Sequence, residues 1–298
     1  MESTINQSEE NWNETLRRKL AENGYLADEA LVMTLYLAEK LGKPLLLEGP
    51  AGVGKTELAK AWSRMHGCKL VRLQCYEGLD ESKALYEWNY QKQLLYIQIE
   101  ALATQGWEMG REQIFSYDFL LKRPLLTALT SAEPVVLLID EVDKSDPEFE
   151  SFLLEALSDW QVTIPELGTI KALNRPYVVL TSNSTRELGD ALRRRCLHFH
   201  IDYPDWEREL NIVELHVPDI ERRFLERLIG FVQTVRKQAV KKPPSITESV
   251  DWVAAMQLVS GGVINTEVVR GTLSALLKHT RDRDLVLEKL PFLLREDG

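Results

Sequence analysis

Short apolar runs alternate with helical periodicity along the first two thirds of the chain. Bounded by turn or polar residues, these runs predict strands at Pro44–Glu48, Leu70–Gln74, Val135–Ile139, Tyr177–Thr181 and Leu197–Ile201. Val135–Ile139 is wholly apolar, as expected for a strand that is covered on both faces. Because strands alternate with helices, we predict an α/β fold with a doubly wound parallel sheet.

Start and stop signals delimit the helices between these strands. Asp28–Leu41 is amphipathic and ends before Gly42, a residue typical of helix C-termini. Ser145-Asp-Pro-Glu148 fits a capping box, which predicts a helix over Pro147–Trp160. The other predicted helices are Trp12–Glu22, Lys55–His66 and Arg186–Arg195.

Strand signals disappear after residue 204. The helices predicted there are Ile220–Ala239, Glu248–Val259 and Thr266–Arg281, with Asn265 or Thr266 as the cap of the last one. Pro243-Pro244 and Gly261-Gly262 separate them. We therefore predict an α/β domain over residues 1–204 and a small α-helical domain over residues 205–298.

Composition narrows the class of protein. The apolar fraction of 44% is typical of globular chains, and 36 basic against 46 acidic residues give a net charge of −10. An acidic balance argues against a constitutive nucleic-acid binder. The three cysteines include no C-x-x-C pair, and the first residues do not form a secretory signal. We expect a cytoplasmic protein that does not enter membranes.

Residues 49–56 carry the pattern of a phosphate-binding loop. They match G-x-x-x-x-G-K-[ST] and lie between a predicted strand and a predicted helix, as that motif requires. The glycines let backbone N–H groups surround a β-phosphate at a helix N-terminus. Lys55 is predicted to reach the β- and γ-phosphates, and Thr56 to bind Mg²⁺. The predicted nucleotide-binding residues are Gly49, Pro50, Ala51, Gly52, Val53, Gly54, Lys55, Thr56 and Glu57.

An acidic pair, Asp140 and Glu141, follows the apolar run Val135–Ile139. In isolation the pair is equally well a polar strand end. Beside a phosphate-binding loop, we expect Asp140 to hold Mg²⁺ through water and Glu141 to orient the attacking water. Phosphoryl transfer to water mostly needs this placement and charge neutralisation.

These two motifs, with Thr181-Ser182-Asn183 and Leu192-Arg193-Arg194-Arg195-Cys196 beyond them, resemble the AAA+ superfamily of P-loop ATPases. Within it the chain is most similar to the MoxR family, and more narrowly to its CoxD-like branch, from about Tyr25 to Leu277. The resemblance implies an ATPase core followed by a helical lid.

The same resemblance assigns further site residues. Asn183 matches the polar residue called sensor 1, on a strand between those of the two motifs. One arginine among Arg193, Arg194 and Arg195 matches the finger that reaches the ATP of a neighbouring subunit. Arg195 is favoured over Arg194. Arg270, within Val268–Leu277, matches the lid arginine called sensor 2. An ordinary solvent-facing arginine is the alternative for these helical positions.

Two segments match insertions that mark MoxR proteins. One is rich in aromatic residues and lies around Trp88–Tyr117; the other, residues 161–172, reads as a β-hairpin with a Pro/Gly turn. Either the aromatic residues engage clients, or they pack the insertion onto the core. Composition does not choose between these alternatives.

By resemblance, the chain uses ATP and Mg²⁺, forms a hexameric ring of identical subunits and remodels another protein. A partner with a von Willebrand factor A domain is implied. The CoxD-like branch points to a client metalloenzyme, namely a molybdenum-containing hydroxylase such as carbon monoxide dehydrogenase. A nucleic-acid motor or clamp loader shares the same motifs and is the alternative, against which the acidic charge counts.

Overall fold

The computed structural model describes residues 3–102 and 114–294. Their contacts divide them into two compact units. The first contains the described residues of Met1–Asn23, Ala27–Glu48 and Thr56–His200, and the second contains those of Gly24–Leu26, Gly49–Lys55 and Ile201–Gly298. This division groups residues 49–55 of the phosphate loop with the C-terminal residues.

A five-stranded parallel sheet organises the first unit. The strands of the protein are β1 (Leu45–Glu48), β2 (Lys69–Gln74), β3 (Tyr86–Trp88), β4 (Leu120–Lys122), β5 (Val135–Asp140), β6 (Gln161–Ile164), β7 (Gly168–Lys171), β8 (Tyr177–Ser182) and β9 (Leu197–His200). The order in the sheet is β2-β5-β8-β1-β9, with every neighbouring pair parallel. This confirms the predicted fold class.

Helices pack around this sheet. They are α1 (Ser3–Glu22), α2 (Glu29–Leu41), α3 (Lys55–His66), α4 (Glu81–Ala84), α5 (Tyr90–Leu102), α6 (Pro124–Leu129), α7 (Pro147–Ser158) and α8 (Asp190–Arg195). Asp28 caps α2, and Gly42 ends it in the left-handed conformation, as the sequence predicts. β1 and β5 are buried along their whole lengths because both faces of the sheet are covered.

Several aromatic rings of the insertion pack onto the core of the first unit. Trp88 lies edge-on to Phe115 with ring centroids 5.3 Å apart, and Tyr96 lies edge-on to Phe119 at 5.4 Å. Tyr90 remains exposed. The core-packing alternative therefore holds for Trp88, Tyr96 and Phe115. Trp107, which the sequence also places in this insertion, lies outside the described residues. Residues 161–171 form the predicted hairpin, in which β6 pairs with β7.

The second unit has a helical core of its own. Its helices are α9 (Trp206–His216), α10 (Arg222–Arg236), α11 (Ile246–Val259), α12 (Thr266–Leu276) and α13 (Thr280–Leu293). Phe231 and Trp252 are almost wholly buried at the centre of this core. Asn265 caps α12 by accepting from the amide of Val268, so of the two predicted caps it is Asn265 that fills the position.

A buried ion pair joins three of these helices. Glu209 of α9 is 0% exposed and accepts hydrogen bonds from Arg236 and Gln233 of α10 and from the Ser249 hydroxyl of α11. Arg236 also donates to the carbonyl of Pro244, just before α11. Nothing in the sequence pattern predicts this pair.

Several predicted helices differ from those found. The helix predicted from Trp12 begins at Ser3, the one predicted over Ile220–Ala239 is α10, and the one predicted from Glu248 begins at Ile246.

Three more differences have a visible structural cause. Glu148 takes no part in a capping box with Ser145; instead Asp146 is the N-cap residue, with Pro147 in the first turn, and the Ser145 hydroxyl donates to Val142. A residue before proline is driven out of the helical region, which makes it a cap rather than a first-turn residue. The helix then ends at Ser158, not Trp160, which has a φ of 52°.

The helix predicted over Arg186–Arg195 is confined to α8. Residues before it are held by tertiary bonds instead: Thr185 donates to Asp143, and Arg186 donates to the carbonyl of Ser145. The prediction over Thr266–Arg281 is wrong for a similar reason. Leu277 is extended and 1% exposed, so the chain turns there to bury it and restarts as α13.

Within the part of the chain that the structure describes, no helix is both long enough and apolar enough to span a bilayer.

Candidate active site

The phosphate loop joins β1 to α3 in a conformation that requires glycine. Gly49 has a φ of 146°, and a Cβ there would lie 2.0 Å from the carbonyl oxygen of Ile201. Gly52 has a φ of 75°, and its Cβ would lie 2.4 Å from that of Ser245. Gly54 also has a positive φ, of 98°. A residue with a side chain would be strained in these backbone conformations, so the structure requires the glycines of the motif.

The start of α11 supports this loop, a contact that the sequence did not predict. The amide of Ile246 donates to the carbonyl of Gly52 at 3.2 Å. Ser245 and Glu248 form a reciprocal capping box at the same helix end. The capped N-terminus of α11 therefore contacts the middle of the phosphate loop. The signal, S-x-x-E before an apolar run, stands in the sequence at Ser245–Glu248.

Lys55 is buried among the carbonyl groups of its own loop. Its ammonium donates to the carbonyl of Gly49 at 2.6 Å and to that of Pro50 at 2.7 Å, and the residue is 6% exposed. A buried ammonium needs such partners, because desolvation is otherwise costly. The group is thus held inside the loop that the motif assigns to phosphate.

Thr56 and Asp140 meet as a candidate magnesium site. The Thr56 hydroxyl lies 3.1 Å from Oδ1 of Asp140, which is 2% exposed at the end of β5. Hydroxyl and carboxylate oxygens suit Mg²⁺, which keeps several waters and takes one or two carboxylates with substrate phosphates. No cluster of three His, Cys, Asp or Glu residues forms a protein-only metal site among the described residues. The hydroxyl of Thr56 and the carboxylate of Asp140 are a donor set that fits Mg²⁺ bound together with a nucleotide.

Glu141 is held beside this pair in a strained backbone conformation. Its φ is 56°, which is uncommon for a residue with a side chain and typical of functional positions. Asn183 donates to Oε1 of Glu141 at 3.1 Å, while Gln74 and Lys144 donate to Oε2 at 2.8 and 2.7 Å. Glu141 holds the pKa of Lys144 above its ordinary value through this hydrogen bond. Since β8 lies between β1 and β5, Asn183 reaches Glu141 as the predicted order of strands requires.

The sequence assigned no role to four residues of this cluster: Arg72, Gln74, Lys144 and Thr181. The Thr181 hydroxyl donates to Asp140 and accepts from the amide of Glu141 at 2.9 Å, so one side chain orients both acids. Gln74 is the register partner of Asp140 across the neighbouring strand. Polar residues that end predicted strands were the available signal, but choosing among them requires the strand order.

Two groups near the acidic pair, Asp143 and Cys75, have pKa values that are shifted by their surroundings. Burial opposes ionisation of Asp143, but hydrogen bonds from the Thr185 hydroxyl and from backbone amides outweigh burial and hold the pKa of Asp143 below its ordinary value. Burial and the nearby charges of Asp140, Asp143 and Glu141 raise the pKa of the Cys75 thiol to about 12. Cys75 therefore stays neutral and has the properties of a core residue.

The three arginines at the end of α8 lie in different surroundings. Arg193 forms an ion pair with Glu48 at 3.3 Å, and Glu48 also contacts His198. Arg195 donates to the Ser158 hydroxyl and, at 3.0 Å, to the carbonyl of Ala191 in its own helix. Arg194 is exposed, and no described residue forms a hydrogen bond or ion pair with it.

Arg270 lies one turn into α12 and is exposed, without a hydrogen bond or ion pair to any residue that the structure describes. The helix end that contacts the phosphate loop belongs to α11 instead. Hydrogen bonds thus link Thr56 to Asp140 and Asn183 to Glu141, and Thr181 joins the two acids. The role of Arg270 stays a prediction.

Solved structures and sequence relatives resemble this chain at a distance. A RuvB mutant from Thermotoga maritima has a TM-score of 0.49 and 18% identity, covering 95% of this chain and 78% of that one. The Thermotoga maritima RuvB Holliday junction branch migration motor has a TM-score of 0.46 and 19% identity, covering 95% and 76%. Proteins described as uncharacterized, from Staphylococcus aureus strains NCTC 8325 and USA300, are 25% identical over 228 residues, which are 72% of this chain and 76% of each relative.

Residues 44–196, just over half of the chain, match a family of nucleotide-binding domains. The matched range begins one residue before β1, contains the phosphate loop and the acidic pair, and ends directly after α8. The chain belongs to the family described as AAA domain (dynein-related subfamily).

Proposed function

We propose that this chain binds ATP with Mg²⁺, hydrolyses it to ADP and phosphate, and uses the cycle to remodel another protein. The observation that carries the proposal is the hydrogen-bonded series Thr56–Asp140–Thr181–Glu141–Asn183. It connects a fitting pair of magnesium ligands to a carboxylate whose position is fixed from both sides. A network of ion pairs that served only to stabilise the fold would not need to connect these residues in series.

Each side chain has a task in this reaction. Backbone amides of residues 49–54 and the ammonium of Lys55 bind the phosphates. Bound Mg²⁺ neutralises charge on the phosphate oxygens. Thr56 and Asp140 hold it, and Glu141 accepts a hydrogen bond from the attacking water. Among described donors, Oε1 of Glu141 has only Asn183, so a lone-pair position on this oxygen remains for the water.

Two substitutions test the ATPase reaction. Glu141→Gln keeps the side-chain shape but removes the base, so Mg·ATP should bind with near wild-type affinity while turnover falls by about 10²-fold or more. Lys55→Ala should abolish measurable binding, because the phosphates lose their buried cation. Isothermal titration with Mg·ATP and a phosphate-release assay measure both effects. Glu133→Gln, an exposed change before β5, is the matched control and should leave both quantities unchanged. The proposal would be contradicted if the wild-type protein bound no adenine nucleotide in the presence of Mg²⁺.

The proposal extends to an assembly, a hexameric ring in which one subunit completes the site of the next. We assign the finger to Arg194 rather than Arg195, because Arg194 can reach a neighbouring copy without breaking an intrachain bond. Arg193 and Arg195 each have partners within the chain to give up. Arg270 keeps its assignment as a lid arginine on the γ-phosphate. The resemblance to MoxR proteins supports both roles.

The client and partner rest on the same resemblance. They are a partner protein with a von Willebrand factor A domain and a molybdenum-containing hydroxylase such as carbon monoxide dehydrogenase. The Glu141→Gln variant, held in its ATP-bound state, should capture both from the source cell, with the Lys55→Ala variant as the control that captures neither. A DNA-stimulated ATPase rate that falls steeply with salt would instead favour a nucleic-acid motor.

A further inference from the structure

Asp140 forms an ion pair with the guanidinium of Arg72. Nε of Arg72 donates to Oδ2 of Asp140 at 3.0 Å, and Nη2 of the same guanidinium donates to the same oxygen. The other oxygen, Oδ1, accepts from the hydroxyls of Thr56 and Thr181. Asp140 is buried, so its carboxylate needs a counter-charge where water does not reach. Arg72 supplies that charge.

The position of Arg72 also allows its guanidinium to move away from Asp140 into solvent. It stands on β2, one strand from Asp140, and its side chain is 51% exposed whereas that of Asp140 is 3% exposed. Moving the guanidinium into solvent therefore buries no new charge. The structure shows the guanidinium on Asp140, and the half-exposed side chain has solvent beside it.

The same guanidinium orients a neighbour of Glu141. Nη2 of Arg72 donates to Oε1 of Gln74 at 2.6 Å, and Nε2 of Gln74 donates to Oε2 of Glu141 at 2.8 Å. Since a guanidinium only donates and a carboxylate only accepts, this is the one amide orientation that satisfies both. Arg72 thus links the proposed magnesium ligand to the proposed base.

We propose that Arg72 is a positioning residue that serves as the built-in counter-cation of Asp140 and competes with Mg²⁺ for its carboxylate. The inference rests on the proposed function, because it takes Asp140 as the magnesium ligand. Without metal, Arg72 neutralises Asp140 and stabilises the cluster. When Mg²⁺ binds together with nucleotide, the guanidinium gives up Oδ2 and moves toward solvent. The protein's Mg²⁺ requirement is therefore set partly by Arg72.

Competition predicts an effect opposite to that of a helper residue. Arg72→Met keeps the length of the stem and removes the charge. The Mg²⁺ concentration that half-saturates binding of a fluorescent ADP should then fall by about tenfold, which corresponds to about 1.4 kcal/mol. The melting temperature of the metal-free protein should fall as well, and Mg·ADP should restore more of it than in wild type. Neither measurement depends on turnover.

Two further variants make the result decisive. Arg72→Lys keeps the charge but loses the fork, so its half-saturating Mg²⁺ concentration should lie between those of wild type and Arg72→Met. If Arg72→Met does not fold, a lower Mg²⁺ requirement in Arg72→Lys than in wild type still supports competition, and an equal or higher one overturns it. Lys69→Met, an exposed change on the same strand, should alter nothing.

An unchanged or raised half-saturating Mg²⁺ concentration in Arg72→Met overturns the inference, because Arg72 would then not oppose the metal. That outcome leaves the proposed ATPase intact as long as wild type binds Mg·ADP. Wild type that shows no Mg²⁺-dependent nucleotide binding overturns the proposed function itself. The two failures are therefore distinguishable in one titration series.

Discussion

At the scale of single residues, the site combines strain with tightly paired polar groups. Glu141 adopts a left-handed backbone conformation, and its carboxylate is fixed by Asn183 and Gln74. Such conformations cost about 1–3 kcal/mol each and persist only where the surroundings enforce them. The hydroxyl of Thr181 enforces this one by binding the amide of Glu141.

Gly52 is a position in the phosphate loop where an added side chain would collide with a neighbouring side chain. In Gly52→Ala, the new methyl group meets Ser245 in addition to the strain of a φ of 75°. We expect a loss of several degrees in melting temperature and at least about tenfold weaker ATP binding, since overpacking alone costs about 1–3 kcal/mol. Differential scanning fluorimetry and titration measure the two quantities.

The matched control for this substitution is Gly262→Ala in the same unit. Gly262 has a φ of 85°, but a methyl group added there would meet nothing within 4 Å, so this substitution carries the backbone strain alone. It should lose about 1–2 kcal/mol of stability and no ATP affinity. Equal effects of the two substitutions would show that contact with Ser245 does not matter.

At the scale of elements, tertiary bonds decided where local signals competed. The pattern S-x-x-E occurs at Ser145, Ser184 and Ser245, and among the described helices only Ser245 begins a capping box. The helix after Ser145 begins at Pro147 as predicted, but its N-cap residue is Asp146, because the residue before a proline avoids helical backbone angles. The residues before α8 follow the same logic, since bonds to Asp143 and Ser145 replace helical ones.

The pair Glu209–Arg236 ties α9, α10 and α11 together, so we expect it to control the stability of the helical unit. Glu209→Gln leaves the Arg236 charge buried without its carboxylate, and removing one partner of a buried pair costs about 3–5 kcal/mol. Urea unfolding followed by circular dichroism gives the free energy of unfolding.

A surface pair in the same helices provides the comparison. Arg222 contacts Glu214 and Glu226, all half-exposed, so Arg222→Met should cost under about 1 kcal/mol. The double variant Glu209→Gln with Arg236→Met should lose less than the two single losses added, because the two side chains are directly coupled. Additive losses would contradict the pairing.

At the scale of the whole molecule, the proposed ring makes catalysis a property of two chains. If Arg194 completes the neighbouring site, Arg194→Ala should lower ATP turnover by about 10³-fold or more while nucleotide binding persists. Mixing this variant with the inactive Glu141→Gln variant should restore part of the turnover, because some interfaces then contain an intact Arg194 and an intact Glu141. Phosphate release on mixing measures this.

The companion variant is Arg195→Ala, mixed in the same way. It should keep most of its turnover alone, since its bonds to Ser158 and Ala191 are within the chain. If neither arginine variant loses turnover although the oligomer persists by light scattering, the trans-finger part of the proposal is wrong.

The sequence by itself determined the features that depend on local spacing. The phosphate loop at residues 49–56, the apolar strand ending in Asp140 and the change to helices after residue 204 follow from patterns of adjacent residues. Local motifs are readable because the chemistry of each needs residues that are close along the chain. The parallel sheet follows from the alternation of elements.

Only the tertiary structure decided which distant side chains meet. Arg72 and Gln74 on β2 reach the acids because β2 lies beside β5, an order that no local pattern encodes. Glu209 and Arg236 find each other, and Ser245 reaches Gly52, for the same kind of reason. Contacts across the sheet and between helices arise from the packing of whole elements, and their energy belongs to the fold rather than to any segment of the chain.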